Sequence, residues 1–171
     1  MPALEEIKRF PWSTLDFLLV NEGEAESLLA ALSSEAASGV TATEDTPGAR
    51  AKNLLNLLTK LPPFSAIAGI VMTLGGSGLL ARIKCSDHDD WEYLRVGPGE
   101  VTKVLDTTGA GDCFTGYLVA GLTTIFPRDP TVAEARHILE YASQAAAIGV
   151  ERAGAMESIP SPSDVAARIK S

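Results

Sequence analysis

A chain of 171 residues, 46% apolar and 21% charged, is long enough for one globular domain and does not have a disordered composition. No apolar run approaches the roughly 18 residues of a membrane span, and the N-terminus MPALEEIKRF carries acids and no apolar core, unlike a signal peptide. A net charge of −8 disfavours sequence-independent binding to nucleic acid, which needs a basic face, so neither nucleic acid nor membrane is an expected partner.

LDFLLV (15–20) reads as a short buried strand and EAESLLAAL (24–32) as a following helix. Residues 33–48, SSEAASGVTATEDTPG, are small and polar and contain Gly and Pro, as an exposed mobile loop does. ARAKNLLNLLTKL (49–61) places Leu54, Leu57, Leu58 and Leu61 on one helical face and stops at Pro62-Pro63. IAGIVMTL (67–74), the tight turn Gly75-Gly76-Ser77-Gly78 and LLARIK (79–84) make a hairpin signal. WEYLRV (91–96) and VTKVL (101–105) read as two further strands around the Gly97-Pro98-Gly99 turn. Helical spacing returns over 112–126, with Phe114, Tyr117, Leu118, Gly121, Leu122 and Ile125, and ends at Pro127. Thr131-Val132-Ala133-Glu134 has the form of a capping box and opens a helix to about Gly149. Its face of Ala142, Ala145, Ala146 and Gly149 lacks bulk and permits close approach. Residues 164–170 form a short amphipathic tail. The order strand, helix, helix, strands, helices predicts an α/β layered sheet in one domain, 1–171, with no internal repeat.

Cys85 and Cys113 form no CxxC and no zinc spacing, which points to reduced thiols in a cytoplasmic protein. His88 and His137 are isolated and read as surface or packing residues.

Chemistry concentrates in DTTGAGDCF, residues 106–114, between the run VTKVL and a helix. The first turn of a helix has unpaired N–H groups and partial positive charge, and Gly109, Ala110 and Gly111 let an anion approach them. Simple turn chemistry accounts for the same three residues. The stretch is neither a Walker A loop nor a Rossmann fingerprint, since Phe114 stands where a third glycine belongs. Asp112 is either a helix cap or a base. In phosphoryl transfer to an alcohol, an Asp accepts the hydroxyl proton while backbone donors hold the transferring group.

DTTGAGD resembles the C-terminal signature of the ribokinase-like sugar kinases, the PfkB carbohydrate kinase family. Asn21-Glu22-Gly23-Glu24 resembles that family's N-x-x-E motif, and Thr73-Leu74-Gly75-Gly76-Ser77-Gly78 its T-L-G-x-x-G nucleotide-side hairpin. Ala147–Val150, Gly154-Ala155 and Ser158-Ile159-Pro160 are similar to the ribokinase branch. The resemblance implies Asp112 as catalytic base and Gly109, Ala110 and Gly111 as an anion hole for the γ-phosphate of ATP. It implies that Asn21 and Glu24 organise Mg²⁺ and its waters, although Asn-x-x-Glu is also a capping box. Thr73, Gly75, Gly76, Gly78 and Ser143 fall on the nucleotide side, and the small face at Ala142–Ala146 would back the adenine or simply pack a helix. A monovalent cation, K⁺, takes Asp106 as carboxylate, carbonyls of Thr108, Val150 and Gly154, and the Ser158 hydroxyl.

Tyr117 stands where the family has Ala or Gly, Ser143 where ribokinases often have Asn, and 33–48 is longer than usual. The implied fold is a ribokinase-like three-layer α/β/α sheet, here only its C-terminal part. The lid, the N-terminal strands and most of the sugar site have no counterpart. The implied activity is phosphorylation of a sugar primary hydroxyl, ribose to ribose 5-phosphate, with a homodimer for a full-length form. A nucleotide-binding module without catalysis, and a partner that completes another chain's sheet, are the competing expectations.

Overall fold

The computed structural model describes residues 4–33 and 47–170. The expected loop at 33–48 lies almost wholly outside the described residues. The chain divides into two compact units, one of residues 1–74 with 79–83, the other of 75–78 with 84–171.

The first unit holds α1 (Leu4–Arg9), β1 (Phe17–Asn21), α2 (Glu22–Leu32), α3 (Pro47–Lys60), β2 (Gly69–Thr73) and most of β3 (Leu79–Lys84). β1 runs parallel to β2, with Leu19 opposite Val71 and Asn21 opposite Thr73. β2 runs antiparallel to β3, with Val71 opposite Ala81. The sheet is therefore mixed. Ile70, Val71 and Met72 are all fully buried, which is why this strand reads as an unbroken apolar run without alternation. In α3 the buried stripe is Ala51, Leu54, Leu55 and Leu58, at i, i+3, i+4 and i+7. Leu57, predicted on that face, lies at its edge and Leu55 takes the core position. Trp12 closes the bottom of the unit, its ring 5.3 Å from that of Phe64 and its Nε1 donating to the Ile7 carbonyl at 2.8 Å.

The second unit holds β4 (Trp91–Val96), α4 (Ala110–Thr123), α5 (Val132–Val150) and α6 (Pro162–Lys170). The capping box at Thr131 and Glu134 forms as the spacing predicts. α4 and α5 approach closely: a Cβ on Gly121 would lie 2.7 Å from Cγ2 of Ile138. The small face of α5 serves the same packing, with Ala142 and Ala145 fully buried and Cys113, Ala145, Ile148 and Val165 in one cluster. Tyr117 on α4 donates its hydroxyl to the Pro160 carbonyl at 2.6 Å, and Tyr141 on α5 donates to Pro162 at 2.8 Å. The unusual Tyr117 thus anchors the chain leading into α6.

One predicted element is missing. Residues 101–105 belong to no strand, and the chain bends at Thr102. Their backbone bonds go elsewhere: Thr102 N donates to the Glu151 carboxylate at 2.5 Å, and Leu105 N donates to the Val150 carbonyl at 2.8 Å. A β-rich pattern makes a strand only where a neighbouring strand offers a ladder, and here the end of α5 takes that place. Val104 and Leu105 remain 58% and 57% exposed, so the apolar run has not found a core.

Candidate active site

The DTTGAGD turn lies in the second unit, where it opens α4. Gly109 is the N-cap, left-handed at φ 77°. A Cβ there would be strained, and it would lie 3.2 Å from Cα of Ala155. The Ala110 amide donates to the Thr107 carbonyl at 3.3 Å, and the first i→i−4 bond runs from Cys113 N to Gly109 O at 2.8 Å. Between them, the amides of Gly111 and Asp112 are first-turn donors without a carbonyl one turn back. A Cβ added to Gly111 meets nothing within 4 Å, so there is open space beside its α-carbon. Asp112 is exposed in the first turn. It is not the N-cap, which removes the capping explanation and leaves a carboxylate at the mouth of the turn.

Asp106 ties this turn to the end of α5. Its Oδ1 accepts from the Thr108 amide at 2.9 Å and its Oδ2 from the Gly154 amide at 3.1 Å. Hydrogen bonding by Thr108, through side chain and backbone, and by the Gly154 amide holds its carboxyl below the ordinary range. Gly154 is left-handed at φ 90°. The Val150 carbonyl accepts from both Leu105 N at 2.8 Å and Asp106 N at 3.2 Å. Both of its lone pairs are engaged, so it braces the loop and is poorly placed to coordinate an ion. Ser158 is buried and its Oγ donates to the Ala155 carbonyl at 2.9 Å. Asp106, Thr108, Val150 and Gly154 thus come together as the sequence predicts, and Gly109 packs on the same loop through Ala155.

Two more predicted nucleotide-side groups lie in this unit. Gly78 has φ 84°, and a Cβ would stand 2.2 Å from the Val96 carbonyl oxygen, so its glycine is used up in packing. Gly75 and Gly76 face open space. Ser143, 9% exposed, donates to the Gly97 carbonyl at 3.2 Å. Beside it is a cleft of about 350 Å³, lined by Gly97, Pro98, Gly99, Glu140, Ser143 and Gln144 among others. Gly99 lets the loop lie against α5, since a Cβ would come 2.6 Å from the Ser143 carbonyl oxygen.

In the first unit, Asn21 and Thr73 are neighbours at the carboxyl ends of the parallel pair β1 and β2, the usual ligand-facing end of such a sheet. Asn21 caps α2: its Oδ1 accepts from Glu24 N at 2.9 Å, and Glu24 Oε2 accepts from Asn21 N at 2.9 Å. The capping box therefore exists. Both residues are exposed and offer hard oxygen donors, which suit Mg²⁺. Among the described residues no group of three or more His, Cys, Asp and Glu side chains could hold a metal ion. A magnesium ion here needs substrate phosphates and water to complete its shell, as is usual for that ion.

Three supporting residues escaped the sequence reading. Gln144 exchanges two hydrogen bonds with the Glu100 backbone, at 3.1 and 3.3 Å, while Glu151 holds Thr102 and pairs with Arg168. The available signal was the polar pair Gln144 and Glu151 framing the otherwise small and apolar AAAIGV.

The comparisons decide the family. The model of the pfkB family carbohydrate kinases matches residues 2–162. The chain belongs to the pfkB family of carbohydrate kinases. It is similar to a ribokinase of Lactococcus lactis, 31% identical over 101 residues, and to one of Haemophilus influenzae, 28% identical over 148 residues. Those alignments cover 59% and 86% of this chain but 29% and 39% of the ribokinases. Among solved structures, a ribokinase from Cryptococcus neoformans in complex with ADP matches with 36% identity and a TM-score of 0.77 over 98% of this chain. The ribokinase of Thermotoga maritima matches with 26% identity and a TM-score of 0.64, also over 98%. The chain spans about half the length of these, 50% and 52%. The fold is the ribokinase-like α/β fold.

Proposed function

We propose that the chain carries the ATP side and the catalytic base of a kinase that phosphorylates a sugar primary hydroxyl, ribose at O5. The observation that carries this is the turn at 106–112: a left-handed glycine N-cap, first-turn amides at Gly111 and Asp112 without a carbonyl one turn back, and an exposed Asp112 that does not cap the helix. Asp112 takes the proton from the sugar hydroxyl as the oxygen–phosphorus bond forms and the bond to ADP breaks. The first-turn amides of Gly111 and Asp112 stabilise the charge that spreads over the transferring phosphoryl group, while Gly109 and Ala110, whose amide donates to the Thr107 carbonyl, shape the turn. Positioning outweighs basicity, because the hydroxyl becomes strongly acidic only late in the transfer.

Asn21 and Glu24 organise Mg²⁺, which when bound neutralises phosphate charge. Thr73, Gly75 and Gly76 take the nucleotide side, and the cleft beside Ser143 takes the base. Asp106, Thr108, Gly154 and Ser158 would hold K⁺ through hard oxygen donors, with Val150 as their brace. The family's ribokinases support ribose as acceptor, and the ADP in the C. neoformans enzyme supports ATP as donor.

The test is ADP release with ATP, Mg²⁺, K⁺ and ribose, comparing wild type with Asp112→Ala, beside direct nucleotide binding. Loss of turnover with binding retained supports the reading. A nucleotide complex with the Asp112 carboxylate beyond hydrogen-bond or single-water reach of the acceptor oxygen, about 3 Å for the direct contact, overturns it.

A second reading is that the chain binds nucleotide without turning over. Binding of ATP with no ribose-dependent ADP release in the unaltered sequence selects it. No nucleotide binding, but tight association with a polypeptide bearing the other half of the fold, selects a structural partner instead.

A further inference from the structure

We infer that Glu151, gripped by Arg168, is a positioning residue that holds the segment 100–106 and through it the Asp106–Asp112 turn. That segment forms no strand. Its amides are satisfied by α5: Glu100 N by Gln144 at 3.1 Å, Thr102 N by Glu151 at 2.5 Å, and Leu105 N and Asp106 N by Val150 at 2.8 and 3.2 Å. A helix end thus does the work of a ladder.

Glu151 is the saturated member of this set. Its Oε1 also accepts from the Thr102 hydroxyl at 2.8 Å and from Arg168 Nη1 at 3.4 Å, and its Oε2 from Arg168 Nη2 at 2.7 Å. Arg168 Nη1 reaches the Glu100 carbonyl at 3.3 Å as well, so helix α6 is tied into the same knot. The ion pair is sheltered, with side chains 27% and 14% exposed, against 51% and 37% for Arg128 and Glu134. A sheltered, multiply bonded pair fixes geometry where an exposed one does little.

The consequence follows from adjacency. Val150 and Glu151 are consecutive, so one helix end fixes the segment at Thr102 and again at Leu105 and Asp106. Asp106 then reaches Thr108 and Gly154 and sets the start of the glycine turn. Releasing Glu151 leaves the segment held at Glu100 by Gln144 and at Leu105 and Asp106 by Val150, with Thr102 untethered between them. That this turn handles phosphate rests on the function proposed above; that Glu151 holds it does not.

Amide hydrogen exchange on the unliganded chain tests the grip. In Glu151→Ala, amides 105–108 and Gly154 exchange about tenfold faster or more, while the helix-core amides of Leu118 and Leu139 keep their protection. Glu151→Gln retains an oxygen acceptor for the Thr102 amide and returns 105–108 to within about threefold of wild type. Unchanged exchange at 105–108 overturns the inference, as does an equal rise at Leu118 and Leu139, which marks a general loss of stability. Should Glu151→Ala not fold, Arg168→Leu leaves the carboxylate held by Thr102 alone; a rise of about threefold at 105–108 is expected, and no rise overturns the inference. In parallel, ADP affinity falls about tenfold in Glu151→Ala. Absence of ADP binding to wild type counts against the proposed function, while the exchange result still decides the role of Glu151.

Discussion

The carboxylate of Asp106 and the amide of Gly154, 48 residues apart in the chain, share a hydrogen bond of 3.1 Å. With Thr108 N on the other oxygen, Asp106 joins the glycine turn to the loop after α5. Asp106→Asn replaces one acceptor oxygen by an NH₂ that must face an amide donor. The variant is expected to melt at lower temperature and to lose preferential stimulation by K⁺ over Na⁺. Thermal melts and activity in the two salts check this.

Asp112 stands apart from that network. Asp112→Ala is expected to lower turnover by a factor of about 10²–10⁴, the usual contribution of a general base, while nucleotide affinity changes less than about threefold. Steady-state kinetics beside calorimetric titration with ADP gives both numbers. Equal losses in both would show that the carboxylate serves binding.

Two glycines should respond in opposite directions. Gly78→Ala forces a Cβ to 2.2 Å from the Val96 oxygen at a positive φ, and is expected to cost about 2–4 kcal/mol in urea unfolding. Gly111→Ala adds a methyl in open space inside a helix, and is expected to gain roughly 0.5–1 kcal/mol. The same methyl narrows the approach to the amides, so a gain in stability coupled to weaker nucleotide binding is the expected signature at Gly111.

Acid should loosen the second unit in a defined window. Arg168, then the Thr102 amide, lower the Glu151 carboxyl from an ordinary 4.5 to about 2, and Arg128 with the Thr131 amide does the same for Glu134. A carboxyl more acidic in the folded state stabilises above its unfolded pKa, and that contribution fades as pH falls from about 4.5 towards 2. Unfolding transitions at pH 6, 4 and 3 should fall progressively, and Glu151→Gln should flatten part of the drop.

Tyr117→Phe removes the donor to the Pro160 carbonyl and is expected to cost about 1 kcal/mol, with no change in nucleotide affinity. Urea denaturation and a binding titration together separate an anchoring role from a functional one.

Most elements were readable from the sequence because each carries its own local instruction. The capping boxes at Asn21 and Thr131 and the buried run IVM of β2 formed where their residues specify. The glycine turn was readable because small residues gather before a helical run, and Gly109 is free to take the left-handed φ that the turn uses. VTKVL failed because a strand depends on its neighbour, and α5 supplied side chains and a carbonyl in place of a ladder. Gln144, Glu151 and Arg168 were unreadable for a related reason. Their partners are backbone groups 44, 49 and 68 residues away, and no local pattern announces a contact with a distant main chain. Asp112 was read as cap or base; only the backbone geometry showed Gly109 in the capping place.

Glu24 spends one carboxylate oxygen on the Asn21 amide, and that bond helps close the first turn of α2. A carboxylate accepts at two oxygens, so a cation or its bound water can sit at Oε1 with the Asn21 bond intact. Loading with magnesium should therefore leave residues 22–24 wound: the strand-to-helix junction can take up an ion without surrendering the bond that starts the helix.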